Sequence, residues 1–357
     1  MKVLFDCRYT RIGRHDGISR FTAGLVAALA ELHPVTMMIS DTRQLAMLPN
    51  LPWVLGPSPT GLTEPFVSLF INKFGPDVVY TPMQTMGPWG RRFGLVTTLH
   101  DLIYFTNRTP PRNLPWPVRI IWRLYHLSLA PQRGLLRSAD ENVAVSETTR
   151  QLMIKNRLTP HPITIVSDAV DEPAAVRTAL SETRTLVYMG SFMPYKNVDL
   201  LARAMHLLPE YTLHLLSRAG DADRARLERL APQNSLVFHN GVSDDEYHEL
   251  LSTATALVTA SRNEGFGLPV LESMAVGTPV VVSDIPVFKE IGGDAAVYFD
   301  PSRPQSMATA VRTIEEAGEW MRRSERSVAQ AAGFRWRHSA AALLVVLTRV
   351  NTTRRRD

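Results

Sequence analysis

Short apolar runs alternate with helix-like stretches along the whole chain. The runs fall at 2–5, 35–39, 78–81, 95–99, 141–145 and 163–166, and again at 186–189, 213–216, 236–239, 257–259, 280–282 and 296–299. Alternation of this kind leaves few choices. It reads as α/β, with strands buried on both faces and helices covering them. Each group of runs holds enough strands for one doubly wound, Rossmann-like sheet, and 357 residues is the usual length of two domains. The expected architecture is therefore two such domains facing a central cleft, with ligand held at their interface. The boundary is expected at 171–181, where Pro173 and a polar stretch interrupt the strands.

Composition agrees with a folded protein. Hydrophobic residues make up 45% of the chain, enough for full-sized cores. Cys7 is the sole cysteine, which excludes an internal disulfide and a cysteine-rich metal site and fits a reducing compartment. It follows Val3-Leu4-Phe5 and reads as core filler rather than a nucleophile. The sequence opens directly on a strand, so no secretory leader is expected. The apolar run at 340–347 is too short to span a bilayer. The expected location is cytoplasmic, with peripheral placement at the inner face of the cell membrane as its extension.

The net charge of +5 hides an asymmetry: residues 1–170 carry +7, 171–334 carry −7, and 335–357 carry +5. The basic first part alone suits an anionic surface. Zinc-finger spacing and aromatic–basic RNA motifs are missing, so no nucleic-acid partner is expected.

The richest stretch runs from Glu264 to Glu272 through Gly265-Phe266-Gly267-Leu268-Pro269-Val270-Leu271. Pro269 suits the first turn of a helix, and Gly277 and Pro279 stop it. Glu264 then lies in the turn before the helix and Glu272 about one turn inside it. The unpaired N–H groups at the helix start can hold a phosphate. Carboxylates accept hydrogen bonds from sugar hydroxyls. Gly265 and Gly267 imply backbone that something approaches closely. A flanking strand on each side puts the loop at the carboxyl end of a parallel strand, where open α/β sheets bind ligands. The plainer reading is a helix with glutamates placed to suit its dipole.

Other residues carry chemistry or structure, and both readings stand at this stage. Lys196, in Gly190-Ser191-Phe192-Met193-Pro194-Tyr195-Lys196-Asn197, is placed to reach a diphosphate, or is a solvated loop lysine. Arg262 is a second cation for the same site, or a common loop arginine. His100 and Asp101 close a strand. His100 is suited to donate to a sugar hydroxyl and Asp101 to orient it or to accept from the acceptor sugar; the alternative is a histidine capping the strand. Gly17 and Arg20 open an amphipathic helix, as a phosphate-side turn or a simple helix start; G-x-G-x-x-G is absent. The segment 110–137 holds Arg112, Arg119, Arg123, Arg133 and Arg137 among Trp116, Trp122 and Tyr125. It reads as a membrane or lipid-acceptor surface, or as a domain helix with a solvated basic face. Asp221-Ala222-Asp223 resembles a metal-binding D-x-D but sits at a helix start, so no metal is expected.

Taken together, Glu264 to Glu272 resembles the E-x7-E signature of retaining GT-B glycosyltransferases, specifically glycosyltransferase family 4. Ser261-Arg262-Asn263, the run from Ser273 to Val281, the Gly190–Asn197 loop, His100-Asp101-Leu102 and Ala144-Val145-Ser146-Glu147 fit the same family. Asp6–Arg8 and Gly17–Phe21 are similar to its bacterial α-mannosyltransferase branch. The resemblance implies a GT-B fold. Residues 1–170 would bind the acceptor and 171–334 the nucleotide-sugar donor. Residues 335–357 would form a helix returning to the first domain. It implies Glu264 on the transferred sugar, the Gly265, Phe266, Gly267 and Leu268 region near phosphate and sugar, and Glu272 on the ribose. Lys196 would sit on the diphosphate, His100 along the reacting sugar, and Val242 and Ser243 near the base. Ser191 departs from the arginine that many members carry there, with Arg262 and Arg20 as candidates to replace it. Asp168-Ala169-Val170-Asp171 departs from the usual Asn-Gly-Val-Asp.

The resulting expectation is a metal-independent retaining hexosyltransferase without a cofactor. GDP-mannose is the preferred donor, and a glycan or lipid-linked molecule of the cell envelope is the acceptor. UDP-glucose or UDP-N-acetylglucosamine donors, a weakly catalytic sugar-nucleotide-binding protein, and an epimerase or hydrolase are the alternatives.

Overall fold

A computed structural model describes residues 1–110, 115–173, 175–180 and 183–356. Arg112, and Ser181 at the end of the expected boundary, lie outside the described residues. The chain forms two compact units, Met1–Ala169 with Phe334–Asp357, and Val170–Gly333.

The first unit is built on a seven-stranded sheet. Its strands are β1 (Val3–Asp6), β2 (Val35–Ile39), β3 (Trp53–Leu55), β4 (Val78–Thr81), β5 (Gly94–Leu99), β6 (Glu141–Ala144) and β7 (Ile163–Ile165). All pair in parallel in the order β3-β2-β1-β4-β5-β6-β7, with Val3 set between Val35 and Val78. Strands β1, β4, β5 and β6 are buried at every residue, which is why they are rich in apolar side chains, and the buried polar Thr97 hydroxyl donates to Asn142 Oδ1 at 2.9 Å. β3 was not among the sequence expectations. It is a three-residue edge strand, apolar throughout yet with Trp53 and Leu55 exposed, and Pro52, Gly56 and Pro57 around it make the segment read as a turn.

Helix Gly17–Leu32 covers this sheet through Phe21, Leu25, Val26 and Leu29, and Asp16 caps it by accepting from the Ser19 N–H at 2.9 Å. Helix Trp336–Arg354 belongs to the same unit. A Cβ at Gly24 would collide with the Trp336 indole, so the glycine lets the two helices meet closely. Ala340, Leu343, Val346 and Leu347 are buried, which accounts for the apolar run near the end. Arg349 locks the helix down with two hydrogen bonds to buried Glu141, at 2.6 and 2.9 Å. Among the described residues no helix is long and apolar enough to cross a membrane.

The second unit holds a six-stranded parallel sheet. Its strands are β8 (Thr185–Tyr188), β9 (Thr212–Leu215), β10 (Leu236–Phe238), β11 (Ala256–Thr259), β12 (Val280–Ser283) and β13 (Val297–Phe299). Their order is β10-β9-β8-β11-β12-β13. Its core gathers Leu186, Tyr188, Leu213, Val258, Val281, Phe299 and Trp320. In both units the strand order reverses direction beside the first strand, at β1/β4 and at β8/β11. Loops leaving the carboxyl ends of such neighbouring strands diverge and open a crevice, the usual ligand position in this kind of sheet.

Candidate active site

In the second unit the switch point lies between β8 and β11, and the loop after each carries a charged residue. The loop after β8 is shaped by buried Tyr188, whose hydroxyl donates to the Ser191 carbonyl at 2.7 Å. A Cβ at Gly190 would stand 2.7 Å from that hydroxyl. A single turn, Pro194–Lys196, then ends on Asn197 in the left-handed region at φ 54°. The Asn197 amide donates to the carbonyls of Ala260 at 3.2 Å and Pro301 at 2.8 Å. The Arg262 N–H donates to the Tyr195 carbonyl at 2.8 Å. These bonds fasten the two loops to each other, and they bring the Lys196 ammonium to 2.6 Å from Glu264 Oε1. The two side chains are 18% and 11% exposed, sheltered yet reachable. Burial, and next the Glu264 charge, push the Tyr188 phenol well above its ordinary pKa, so it remains a neutral donor.

The loop after β11 leads into helix Leu268–Ala275, with Pro269 in its first turn. Gly267 sits just before it at φ 112°, and its carbonyl accepts from the Val270 N–H at 2.9 Å. A Cβ at Gly267 would stand 2.7 Å from the Phe288 ring. The close approach expected at this glycine is thus made by the protein's own Phe288, and the positive φ asks for glycine independently. Phe266 is buried, whereas Leu268 is half-buried. Glu272 accepts a hydrogen bond from the Tyr247 hydroxyl at 3.0 Å. Ser191 and Arg262 are both exposed.

Val242 and Ser243 follow β10 after a turn through Asn240 and Gly241, both with positive φ. Ser243 caps helix Asp244–Thr253, its hydroxyl oxygen accepting from the Glu246 N–H at 3.2 Å. It therefore carries a structural duty in addition to any nucleotide contact. Lys196, Glu264, Gly267 and Glu272 all belong to the β8/β11 side of the one sheet. Tyr247 was missed at the sequence level: a lone tyrosine in an acidic helix gives no signal of a partner on another helix.

In the first unit His100 follows β5. Its Nε2 lies 2.7 Å from the Pro82 carbonyl, which can only accept, so Nε2 carries the proton. Burial lowers the ring's pKa, and the Pro82 carbonyl and Asp16 only partly counter it. Neutral His100 presents an acceptor at Nδ1, where the sequence reading had a donor. Asp101 accepts from the Ile103 N–H at 2.8 Å, a helix-start contact. Gly17 is the first residue of its helix, with open space where a Cβ would stand, and the Arg20 N–H donates to the Asp16 carbonyl at 2.9 Å. Arg119 and Arg123 lie on helix Trp116–Tyr125, which has no buried residue. Its Trp122 stacks on His126 with ring centroids 3.9 Å apart, while Trp116, Ile121 and Leu124 are 74%, 67% and 61% exposed.

Asp221 and Asp223 stand in the first turn of helix Asp221–Glu228, and Asp223 pairs with Arg226 at 2.6 Å. Among the described residues no group of three or more histidine, cysteine or carboxylate side chains is gathered to hold a metal ion.

Comparison with known proteins fits this geometry. The family model for Glycosyl transferases group 1 matches residues 172–331, and that for Glycosyltransferase Family 4 matches 15–172. An O-antigen chain mannosyltransferase, RfbU, of Salmonella typhimurium is 27% identical over 68% of this chain and 70% of its own length. A GDP-mannose:cellobiosyl-diphosphopolyprenol alpha-mannosyltransferase of Xanthomonas campestris is 26% identical over 55% of each chain. Among solved structures, sucrose-phosphate synthase from Thermosynechococcus elongatus superposes with a TM-score of 0.74, covering 99% of this chain and 100% of its own at 16% identity. That likeness shows the fold, GT-B. With matches meeting at residue 172 and running from 15 to 331 across both sheets, the chain belongs to glycosyltransferase family 4 and is a hexosyltransferase.

Proposed function

We propose that this hexosyltransferase moves mannose from GDP-mannose, with retention at the anomeric carbon, to a glycan or lipid-linked acceptor of the cell envelope. The observation that carries the reading is the Lys196–Glu264 pair at the β8/β11 switch point, beside the helix start at Gly267–Pro269. It supplies a cation and backbone donors for a diphosphate, with a carboxylate next to them for sugar hydroxyls. The names of the relatives, both mannosyltransferases, supply the preference for mannose.

In this mechanism the bond from the anomeric carbon to the phosphate oxygen breaks on the face where the acceptor oxygen arrives. The sugar passes through an oxocarbenium-like state. The departing phosphate oxygen takes the acceptor hydroxyl's proton as the new glycosidic bond forms. Lys196 and the N–H groups at the helix start stabilise the charge that grows on the diphosphate. Glu264 orients the sugar, Glu272 the ribose, and Val242 with Ser243 line the base. Arg262 or Arg20 supplies the second cation in place of the arginine missing at Ser191. His100, through Nδ1, accepts from a sugar hydroxyl, and Asp101 serves the acceptor. No metal takes part.

A panel of GDP-mannose, UDP-glucose and UDP-N-acetylglucosamine with cell-envelope lipids tests the proposal. GDP release that depends on acceptor, an α-configured mannoside and full activity after chelation are expected. UDP release alone moves the donor to a UDP-sugar, and an inverted product ends the retaining mechanism. Binding without acceptor-dependent release would support a sugar-nucleotide-binding protein, the reading that Ser191 motivates. Free or epimerised sugar without acceptor would support a hydrolase or epimerase.

The proposal extends to peripheral contact between the first unit and an anionic membrane at helix Trp116–Tyr125. Its apolar side chains are exposed, and Arg119 and Arg123 lie at their flank. Reversing both arginines to glutamate should lower binding to anionic vesicles by at least tenfold, at about 1 kcal/mol per charge. Unchanged sedimentation with vesicles would remove this helix as the contact.

A further inference from the structure

Tyr247 is 2% exposed, on the first half of helix Asp244–Thr253. A buried phenol needs a hydrogen-bond partner. Its hydroxyl donates at 3.0 Å to Oε2 of Glu272, on a different helix 25 positions along the chain. Glu272 is itself unusual. It is the sole ionisable residue of helix Leu268–Ala275, it lies beyond the first turn, and Val270, Leu271, Ser273 and Met274 around it are buried. The helix dipole favours acids in the first turn, so it does not account for a carboxylate here.

We infer that Tyr247 is the positioning residue for Glu272 and that it sets the selectivity of the site for ribose over deoxyribose in the donor nucleotide. The inference rests on the proposed nucleotide site at Glu272. A carboxylate offers about four acceptor positions. A side chain on a half-buried helix can rotate, and a freely rotating carboxylate spends part of its time turned away from a ribose. Tyr247 takes one position on Oε2 and fixes the carboxylate plane. With its plane fixed, the carboxylate faces the vicinal hydroxyls in one orientation. The same helix begins at its Ser243 cap, directly after Val242. The loop assigned to the base and the phenol that holds Glu272 therefore sit on one rigid element. Base and ribose are registered against each other through the Tyr247–Glu272 hydrogen bond.

The test compares GDP with 2′-deoxy-GDP, and UDP with 2′-deoxy-UDP, by titration calorimetry on the full chain. The proteins are the wild type, Tyr247→Phe, Glu272→Gln and the double variant. The wild type should prefer the ribonucleotide by about tenfold, the size of a hydrogen bond to a charged group. Tyr247→Phe should cut that preference to about threefold and raise donor KM several-fold, with kcat within twofold and an unchanged melting temperature. Glu272→Gln, whose amide oxygen still accepts from Tyr247, should abolish the preference, and adding Tyr247→Phe should then change nothing further. If Tyr247→Phe keeps both KM and the ribose preference while Glu272→Gln loses them, Tyr247 is merely structural and the inference is overturned. If Glu272→Gln keeps the preference, or the wild type binds none of the four nucleotides, the nucleotide site at Glu272 falls and the inference falls with it.

Discussion

The two sheets share one strand order over six strands, with β7 added to the first, yet they use the charge at their switch points in opposite ways. In the first unit, Asp6 ends β1 and Arg8 follows it. The Arg8 guanidinium binds Asp6 at 2.8 and 3.1 Å and Glu64 at 2.7 and 3.0 Å. The Arg8 and Asp6 side chains have no exposure at all. Burial disfavours the Arg8 charge, but Asp6 and Glu64 more than offset this and raise its pKa above the ordinary value. In the second unit, Lys196 and Glu264 form one contact and remain partly open to solvent. The first arrangement is a closed network that ties the end of β1 to the loop after β3. The second is a single pair left partly open, the one to which the proposed mechanism assigns the diphosphate. Topology supplies the position in both cases. Burial decides whether charge at that position is closed into the fold or stays open to solvent.

The comparison breaks or sharpens under three substitutions. The largest effect should come from Arg8→Met, which leaves buried Asp6 without its cation. Loss of one partner in a buried pair costs about 3–5 kcal/mol. Denaturant unfolding should show that loss, and a drop below 1 kcal/mol would mean that the network is not structural. Next comes Lys196→Ala. Its turnover should fall about 10²–10³-fold, the effect of removing one transition-state donor, with little change in melting temperature. Near-normal turnover would sink the assignment of Lys196 to the diphosphate, and a large stability loss would make the two regions alike.

The smallest effect concerns His100. Its folded pKa lies below the ordinary value of about 6.5, so the unfolded chain binds the extra proton first. The stability contributed by neutral His100 is complete above about pH 6.5 and is lost as pH falls through the lowered folded value. His100→Gln should reduce the difference in melting temperature between pH 7.5 and pH 5. Parallel profiles for the two proteins would show that His100 is not the group that titrates.

Much of this was legible without coordinates. Strands buried on both faces are mostly apolar, so runs such as 78–81 and 280–282 announced themselves. The spacing of Glu264, Pro269 and Glu272 placed one acid before a helix and one inside it, because helix starts follow local rules. Edge strand β3 escaped detection for a different reason: its three apolar residues sit between Pro52 and Gly56-Pro57, which read locally as a turn.

The sequence by itself determined the α/β class, the two groups of strands and the residues that stand at loop and helix starts, because these depend on interactions between near neighbours in the chain. Tertiary structure alone decided which of those residues meet. The order β8-β11 brings Lys196 to Glu264 across 68 positions. Packing of one helix against another gives Glu272 its tyrosine, and the end of β4 gives His100 the carbonyl that sets its proton. Each of these contacts comes from strand order and burial, and no local pattern encodes them.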